Sequence, residues 1–430
     1  MKFSGDRLAQ LLEAELGADA VTGERDLLAA HNVDGRQPAL LCFPASPEQI
    51  AAALHLCAEA SASVTPWGGG TAMGIGNPPR QLDVVIGLER LNLLVEHDQA
   101  NLTASVQSGC RLTALQELLA RHGQFLPFDP PHAARATVGG VVAANSNGPR
   151  RNYYGGVRDL VIGMKIVLAS GEQIKAGGKV VKNVAGYDMC KLFVGSLGTL
   201  GIITEVTLRM APIPETAATL IASGSLSQVQ QFADELSRSK LLPSAVFLLS
   251  PKVSKAKDWC VAVWCEGFER GVARHLQDTQ DTAKQIGLGT EILQSSDHSG
   301  FWEELPDFPL QSSRLIYRLT VPRASAAAVI QTIHSDSTMD FRPEIVSDIA
   351  MGIVWVSLDA QHEAVRWFAK LIAEAREHRG HAVMLAAPPN LKDGVDVWGS
   401  PPASLNLMRE IKRRFDPKNL LNPGRFVGGL

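Results

Sequence analysis

Apolar residues recur at helical spacing from Ser4 to Leu16, where Leu8, Leu11, Leu12 and Leu16 share one face. A short apolar run, Ala39 to Phe43, reads as a strand ended by Pro44. Ser46 then caps a helix opening at Pro47, with Glu48 in its first turn and Ile50, Leu54 and Cys57 turned inward. Val64 leads into PWGGGTAMG, and Asp83 to Leu88 reads as the next strand. The alternation predicts a small α/β lobe. After a polar interval, His97 to Asn101, come a strand at Leu102 to Gln107 and a helix at Leu112 to Arg121. Asp159 to Leu168 reads as a strand, Ser170-Gly171 as a hairpin turn and Gln173 to Lys175 as the returning strand. Met189 to Val194 reads as a short helix and Ile202 to Met210 as a strand.

From about Thr216 the glycine loops give way to alternating strands and helices. Leu226 to Leu236, Gly271 to Ile286, Ala324 to Ile333 and His362 to Arg379 are predicted helices. Ala245 to Leu249, Val261 to Cys265, Leu315 to Val321, Gly352 to Ser357 and Ala382 to Ala386 are predicted strands. This is an α+β pattern, a sheet with helices on one face. Gln294 to Ser313 reads as a long loop in which Phe301, Trp302 and Phe308 would shield a ligand, meet a partner or pack as a satellite core. Leu405 to Phe415 reads as a helix, followed by the turn DPKNLLNPGRF.

Composition narrows the class. The chain of 430 residues is 45% hydrophobic and 20% charged with a formal net charge of −3, so nothing electrostatic points to nucleic acid. No apolar run reaches the length of a membrane span, so no intrinsic anchor is expected, and the N-terminus lacks the pattern of a secretory signal. The six cysteines are scattered without a C-x-x-C pair, which predicts free buried thiols and no iron–sulfur cluster in this chain.

Three glycine-bearing segments are the candidate chemistry: Pro66 to Gly76, Asp129 to Asn147 and Gly177 to Pro212. Glycine lets a ligand approach the main chain, and successive N–H groups can cradle a diphosphate. Neither the dinucleotide fingerprint nor the P-loop is present. The small residues of ATVGGVVAAN suit close packing, either of a planar ring system or of helix on strand.

The segments PWGGGTAMG, DPPHAARATVGGVVAAN, GGVRDLVIGMKIVLASGEQIKAGGKVVKNVAGYD and KLFVGSLGTLGIITEVTLRMAP together resemble the FAD-binding domain of the vanillyl-alcohol oxidase/PCMH flavoprotein superfamily. Within it, DPPH, NGPRRNYYGGVRD, GGKVVKNVAGYD and FVGSLGTLG are most similar to the FAD-binding E subunit of bacterial glycolate oxidase. The resemblance implies a two-lobed PCMH-type FAD-binding domain plus a ferredoxin-like α+β cap domain. The corresponding division is 1–35 as an N-terminal helical segment, 36–215 as the FAD domain, 216–386 as the cap and 387–430 returning to the FAD domain.

The same resemblance implies site residues. Pro66, Trp67, Gly68, Gly69, Gly70, Thr71 and Ala72 would wrap the pyrophosphate, with packing inside the lobe as the alternative for Trp67. Asp129, Pro130, Thr137, Gly139 and Gly140 would lie along the cofactor, and Ala144, Asn145, Ser146 and Asn147 near the flavin or ribityl chain. Gly198, Thr199, Gly201 and Ile202 would close over adenosine. PWGGGTAMG holds no His or Cys, so non-covalent FAD is expected.

Relatives that oxidise 2-hydroxy acids carry a segment resembling GHxGDGNxH, which binds a divalent metal. Here we place it at Gly380 to Leu391, where only His381 remains, so no metal site is expected. Arg318, in SSRLIYRLTVP, is a candidate clamp for a substrate carboxylate. His381 is a candidate base, and Asn422 a candidate near the flavin. For Arg318 and His381 the alternatives are a surface ion pair and a structural imidazole; for Asn422, a docking tail.

The resemblance implies oxidation of a small 2-hydroxy acid, glycolate or D-lactate, in a complex with a D-type flavin subunit and an iron–sulfur F-type subunit. The alternative is an FAD-binding relay or structural subunit without its own substrate oxidation. A cytoplasmic location, or one peripheral to the inner membrane through partner subunits, follows from the same likeness.

Overall fold

The computed structural model describes residues 5–178, 187–311, 314–336, 343–359 and 363–430. The NVAGYD segment up to Gly186, Ser312 and Ser313, and the predicted helix start at His362 lie outside them. The chain divides into two compact units, one of residues 1–147, 156–212 and 392–430, the other of 148–155 and 213–391.

The first unit begins with helix α1 (Gly5–Leu16), which buries Leu8, Leu12 and Leu16. Those leucines join Ile50, Leu54 and Cys57 of α3 (Pro47–Ala60) in one apolar core. The N-terminal segment expected to stand apart is therefore built into the first lobe, because its leucine face is needed there. Ser46 caps α3 by accepting the Gln49 N–H, as the sequence pattern indicates. Strands β1 (Val21–Thr22), β2 (Leu40–Cys42), β3 (Val64–Trp67) and β4 (Val84–Gly87) form a sheet in the order β1-β2-β4-β3, parallel except at β1. A short helix, α2 (Arg25–Ala30), lies between β1 and β2.

The second lobe is a five-stranded antiparallel sheet ordered β5-β6-β10-β8-β9. Its strands are β5 (Leu94–Asp98), β6 (Thr103–Gln107), β8 (Val161–Val167), β9 (Gln173–Gly177) and β10 (Ile202–Arg209). A separate pair joins β7 (Gln124–Phe125) to β11 (Ala211–Pro212). Helices α4 (Leu112–Ala120) and α5 (Val138–Ala144) share the core of this lobe. The interval read as polar begins inside β5, an edge strand whose half-exposed pattern gives no apolar run. The strand expected from Asp159 starts later: Val157–Leu160 is a helical turn, α7, held where Asp159 accepts the Gly156 N–H. A further turn, α8 (Cys190–Phe193), precedes the last glycine loop.

The second unit is an eight-stranded antiparallel sheet ordered β15-β12-β14-β13-β17-β18-β16-β19. Its first half runs β12 (Thr216–Gly224), α9 (Leu226–Arg238), β13 (Ala245–Leu249), the turn α10 (Pro251–Ser254), β14 (Trp259–Gly267), α11 (Glu269–Gln285) and β15 (Gly289–Gln294). After α12 (Ser295–Glu304), the second half runs β16 (Leu315–Thr320), α13 (Ala326–Ser335), β17 (Glu344–Asp348), β18 (Ile353–Leu358), α14 (Ala364–Glu377) and β19 (His381–Ala386). Each half is a βαββαβ unit with its fourth strand beside its first, so the ferredoxin-like pattern occurs twice, joined through the antiparallel pair β13–β17.

Alternation along the strands separates two faces. Tyr317 of β16 stacks on Phe368 of α14 and donates to the Ala364 carbonyl on the helical face. The opposite face carries Trp264, Phe247, Val346 and Trp355. The segment read as a loop at Gln294 to Ser313 is instead α12 followed by a 3-10 stretch, Leu305–Leu310. Trp302, Leu305 and Phe308 are buried in that aromatic cluster, which orders the chain where local sequence reads as irregular.

The chain also visits the second unit early. Residues 148–155, with the turn α6 (Arg151–Tyr154), belong to it and interrupt the expected FAD domain. Arg150 lies 3.4 Å from the buried Glu266 and 4.4 Å over the Trp264 ring, and Asn152 donates to the Pro243 carbonyl at 2.8 Å. Contacts between distant positions hold this excursion, so its sequence alone does not announce them.

Candidate cofactor cradle and polar cluster

The first unit brings three glycine-bearing segments together at the end of β3. Gly68 and Gly69 cross directly over the residues leading into α5. A Cβ on Gly68 would sit 2.2 Å from Thr137 Oγ1, and one on Gly69 would sit 1.8 Å from the Arg135 carbonyl oxygen. Among the described residues, the N–H groups of Gly68, Gly69, Gly70 and Thr71 have no acceptor in the protein. Such a half-buried run of donors is a ready anion cradle.

The N–H groups opening α5 are, by contrast, satisfied. Val138 donates to the Cys110 carbonyl, Gly139 to the Ser108 carbonyl and Gly140 to Thr137 Oγ1. The donor surface therefore lies in the β3 loop and not at the helix end. Asn145 closes α5 in a left-handed conformation with φ 48°. Asn147 donates to the Asn145 carbonyl and accepts the Val157 N–H.

The last glycine loop meets both others. The Gly195 N–H donates to the Val142 carbonyl and the Leu197 N–H to the Ala143 carbonyl. Gly198, at φ 68°, lies where a Cβ would be 3.1 Å from the Pro66 ring and 3.4 Å from Asn422 Nδ2. The Ser196 hydroxyl is buried without a partner among the described residues. Thr199 and Ile202 are buried beneath the loop, Ile202 pairing with Val167, and a Cβ on Gly201 would meet Ile166 at 2.6 Å. These three support the loop from below. Trp67 likewise packs on its lobe, its ring 4.6 Å from that of His31. Asp129 is half-buried and Pro130 buried in the stretch after β7, while Ala144 and Ser146 flank Asn145.

Buried cations from distant parts of the chain hold the loops. Arg425 donates through Nη2 to the Met73 and Ile75 carbonyls at 2.6 Å each and through Nη1 to that of Asn77 at 3.0 Å. Lys392 reaches the Gly74 carbonyl at 2.6 Å and Asp34 at 2.8 Å. Lys412 holds the other loop, reaching the Thr199 and Leu421 carbonyls at 2.8 Å each and Asp416 at 2.7 Å. Sequence reading missed all three, because a lysine or arginine shows no local sign of burial.

Asn422 also serves the cradle. Its Oδ1 accepts from the Thr65 hydroxyl at 2.8 Å and its Nδ2 donates to the Leu197 carbonyl at 2.7 Å, joining β3 to the last glycine loop. With 4% of its surface exposed, the amide expected near the flavin fastens two loops.

The glycine cradle, its unsatisfied donors and the orphan Ser196 hydroxyl fit a pyrophosphate-bearing flavin dinucleotide. Two stretches of the chain match known families: residues 38–177 the FAD binding domain, and residues 400–426 the C-terminal domain of FAD linked oxidases. The chain is 31% identical over 349 residues to the glycolate oxidase subunit GlcE of Escherichia coli, covering 78% of this chain and 85% of that one. The chain belongs to the FAD-linked oxidase family. Its cofactor is FAD.

A second member, the glycolate oxidase subunit GlcD of Bacillus subtilis, is 28% identical over 432 residues, covering 90% of this chain and 88% of that one. The solved structure of p-cresol methylhydroxylase with substrate bound shares the fold, with a TM-score of 0.75 at 18% identity over 98% of this chain and 96% of that one. The two-lobed PCMH-type domain and the α+β cap are thus both features of this FAD-linked oxidase.

The second unit carries the remaining candidates on its aromatic sheet face. Register places Asp348, Ile353, Thr320 and His381 in one row across β17, β18, β16 and β19, with Arg318 two residues from Thr320 on the same face. His381 stands partly exposed on the edge strand, and the burial of the rest of its ring, followed by the charge of Arg318, lowers its pKa. Burial also pulls Arg318 down to about 10, reinforced by Arg151. Among the described residues no group of three His, Cys, Asp or Glu side chains is placed to hold a metal ion.

Proposed function

We propose that this FAD-linked oxidase is a subunit of a 2-hydroxy-acid dehydrogenase, oxidising glycolate or D-lactate to the 2-oxo acid in a complex with a D-type flavin subunit and an iron–sulfur F-type subunit. The observation that carries this reading is the run of free donors at Gly68 to Thr71 in a chain akin to two glycolate oxidase subunits over most of its length. The N–H groups of Gly68, Gly69, Gly70 and Thr71 would hold the FAD pyrophosphate without a covalent tether, with Thr137, Asn145 and Gly198 beside them. The flavin, when bound, supplies hydride or electron chemistry. Arg318, half-buried with its Nε unpartnered among the described residues, is the group we assign to the substrate carboxylate.

The visible spectrum of the purified protein, before and after anaerobic glycolate and D-lactate, tests the reading. Bleaching of bound flavin by either acid is the expected result. A second reading is favoured by the lone, exposed His381, whose segment lacks a second imidazole. In it the subunit holds FAD as a relay, and the flavin stays oxidised until the partner subunits are added.

A further inference from the structure

Three polar side chains at the aromatic face of the second unit each bury an atom that has no partner among the described residues. Asp348, 1% exposed, has an unpartnered Oδ1, and the Nε atoms of Arg151 and Arg318 are also buried without acceptors among the described residues. An unsatisfied buried polar group costs stability, so three on one face are an expensive arrangement unless something completes them.

Arg151 reaches this face because the excursion is fastened on either side of it. Arg150 is held by Glu266 and Trp264, and Asn152 by the Pro243 carbonyl, while the Arg151 side chain has no hydrogen bond or ion pair among the described residues. Its charge is nonetheless felt at both other groups, stabilising the Asp348 carboxylate and disfavouring the protonated form of Arg318. Asp348 and Arg318 stand on β17 and β16, with only β18 between them. Two strand spacings and the two-residue offset from Thr320 put the Cα atoms of Asp348 and Arg318 roughly 12 Å apart, a span that a long guanidinium side chain shortens. Thr320 adds a hydroxyl on the same face.

We propose that Arg151, Arg318 and Asp348 form a subsite for a 2-hydroxy carboxylate, the two guanidinium groups taking the carboxylate and Asp348 accepting the hydroxyl. The assignment rests on the 2-hydroxy-acid reading and adds the residues that select the hydroxyl. Two arginines against one carboxylate leave net positive charge for an anionic ligand. Asp348 has the acceptor-only chemistry that distinguishes a hydroxy acid from a plain one.

Calorimetric titration of the FAD-loaded full chain with glycolate and with acetate at pH 8 tests the subsite. Glycolate is expected to bind about 10-fold more tightly than acetate. Arg151→Met and Arg318→Met each weaken glycolate by about 10-fold, and Arg151→Lys recovers part of the loss. Asp348→Asn brings glycolate and acetate to about equal affinity. Retained flavin absorbance and an unchanged far-ultraviolet spectrum identify variants that remain folded. Wild-type glycolate affinity in folded Arg151→Met, an undiminished preference in Asp348→Asn, or no glycolate binding by the wild type overturns the proposal. Glycolate binding that depends on Arg151 but leaves the flavin oxidised supports the subsite and removes only turnover by this subunit alone. Bleaching that Arg151→Met leaves untouched, with unchanged affinity, removes the subsite and keeps turnover.

Discussion

Arg425 Nη1 lies 3.3 Å from Asp34 Oδ2, a buried pair linking positions 391 residues apart in sequence. The same guanidinium holds the carbonyls of Met73, Ile75 and Asn77, so the pair fixes the second half of the loop whose first half bears the free N–H groups. Arg425→Gln is expected to weaken FAD by about 10-fold and to destabilise the first unit by about 3 kcal/mol, less than a lone buried charge would because Lys392 still faces Asp34. Fluorescence titration with FAD and denaturant unfolding measure the two effects. Unchanged FAD affinity would detach Arg425 from the cradle.

Gly69→Ala places a methyl group on the Arg135 carbonyl, a backbone atom that cannot swing aside. The loop must lift, and the row of donors loses its alignment. The flavin-to-protein ratio after purification is expected to fall well below one, with affinity reduced by about 10-fold or more. A variant saturated with FAD would show that the donors lie elsewhere.

His298 binds Thr219 at 2.7 Å through Nδ1, and the same hydroxyl accepts from Trp302 Nε1 at 2.7 Å. With its oxygen accepting from Trp302, the hydroxyl gives its proton to Nδ1, which requires a neutral imidazole. Burial, helped by Arg150, pulls the His298 pKa down to about 4. The unfolded chain therefore takes up this proton first, and the second unit loses stability as pH falls from about 6.5 to about 4, by on the order of 3 kcal/mol at most. Unfolding curves at pH 7, 5 and 4 should show the loss in the wild type and a shallower one in His298→Gln. Parallel curves would contradict the neutral imidazole.

Asp348 has the opposite sign. Burial, opposed by Arg151, pushes its pKa up to about 7, so the native state holds this proton more tightly than the unfolded chain. Its stabilising contribution is present below the ordinary carboxylate range and is lost as pH rises to about 7. Asp348→Asn should therefore be more stable than the wild type at pH 8, by on the order of 4 kcal/mol at most, and equal to it near pH 3. A variant less stable at pH 8 would mean that the carboxylate is satisfied in the native protein.

The sequence by itself determined which stretches could approach a cofactor and where most regular elements run. Residues such as Gly68 and Gly69, Ser46 before Pro47, and the continuous apolar run of Ala245 to Leu249 act through backbone freedom, capping and local hydrophobicity, which are local properties. Tertiary structure decided the rest. It ordered Ser295 to Leu310 into helical turns around Trp302 and Phe308, and it gave Asn422 a joining role. It also placed Arg425 and Lys412 under the glycine loops, and carried Arg151 to the sheet bearing Asp348 and Arg318. Burial and charge pairing depend on neighbours far away in sequence, so no periodicity or spacing expresses them.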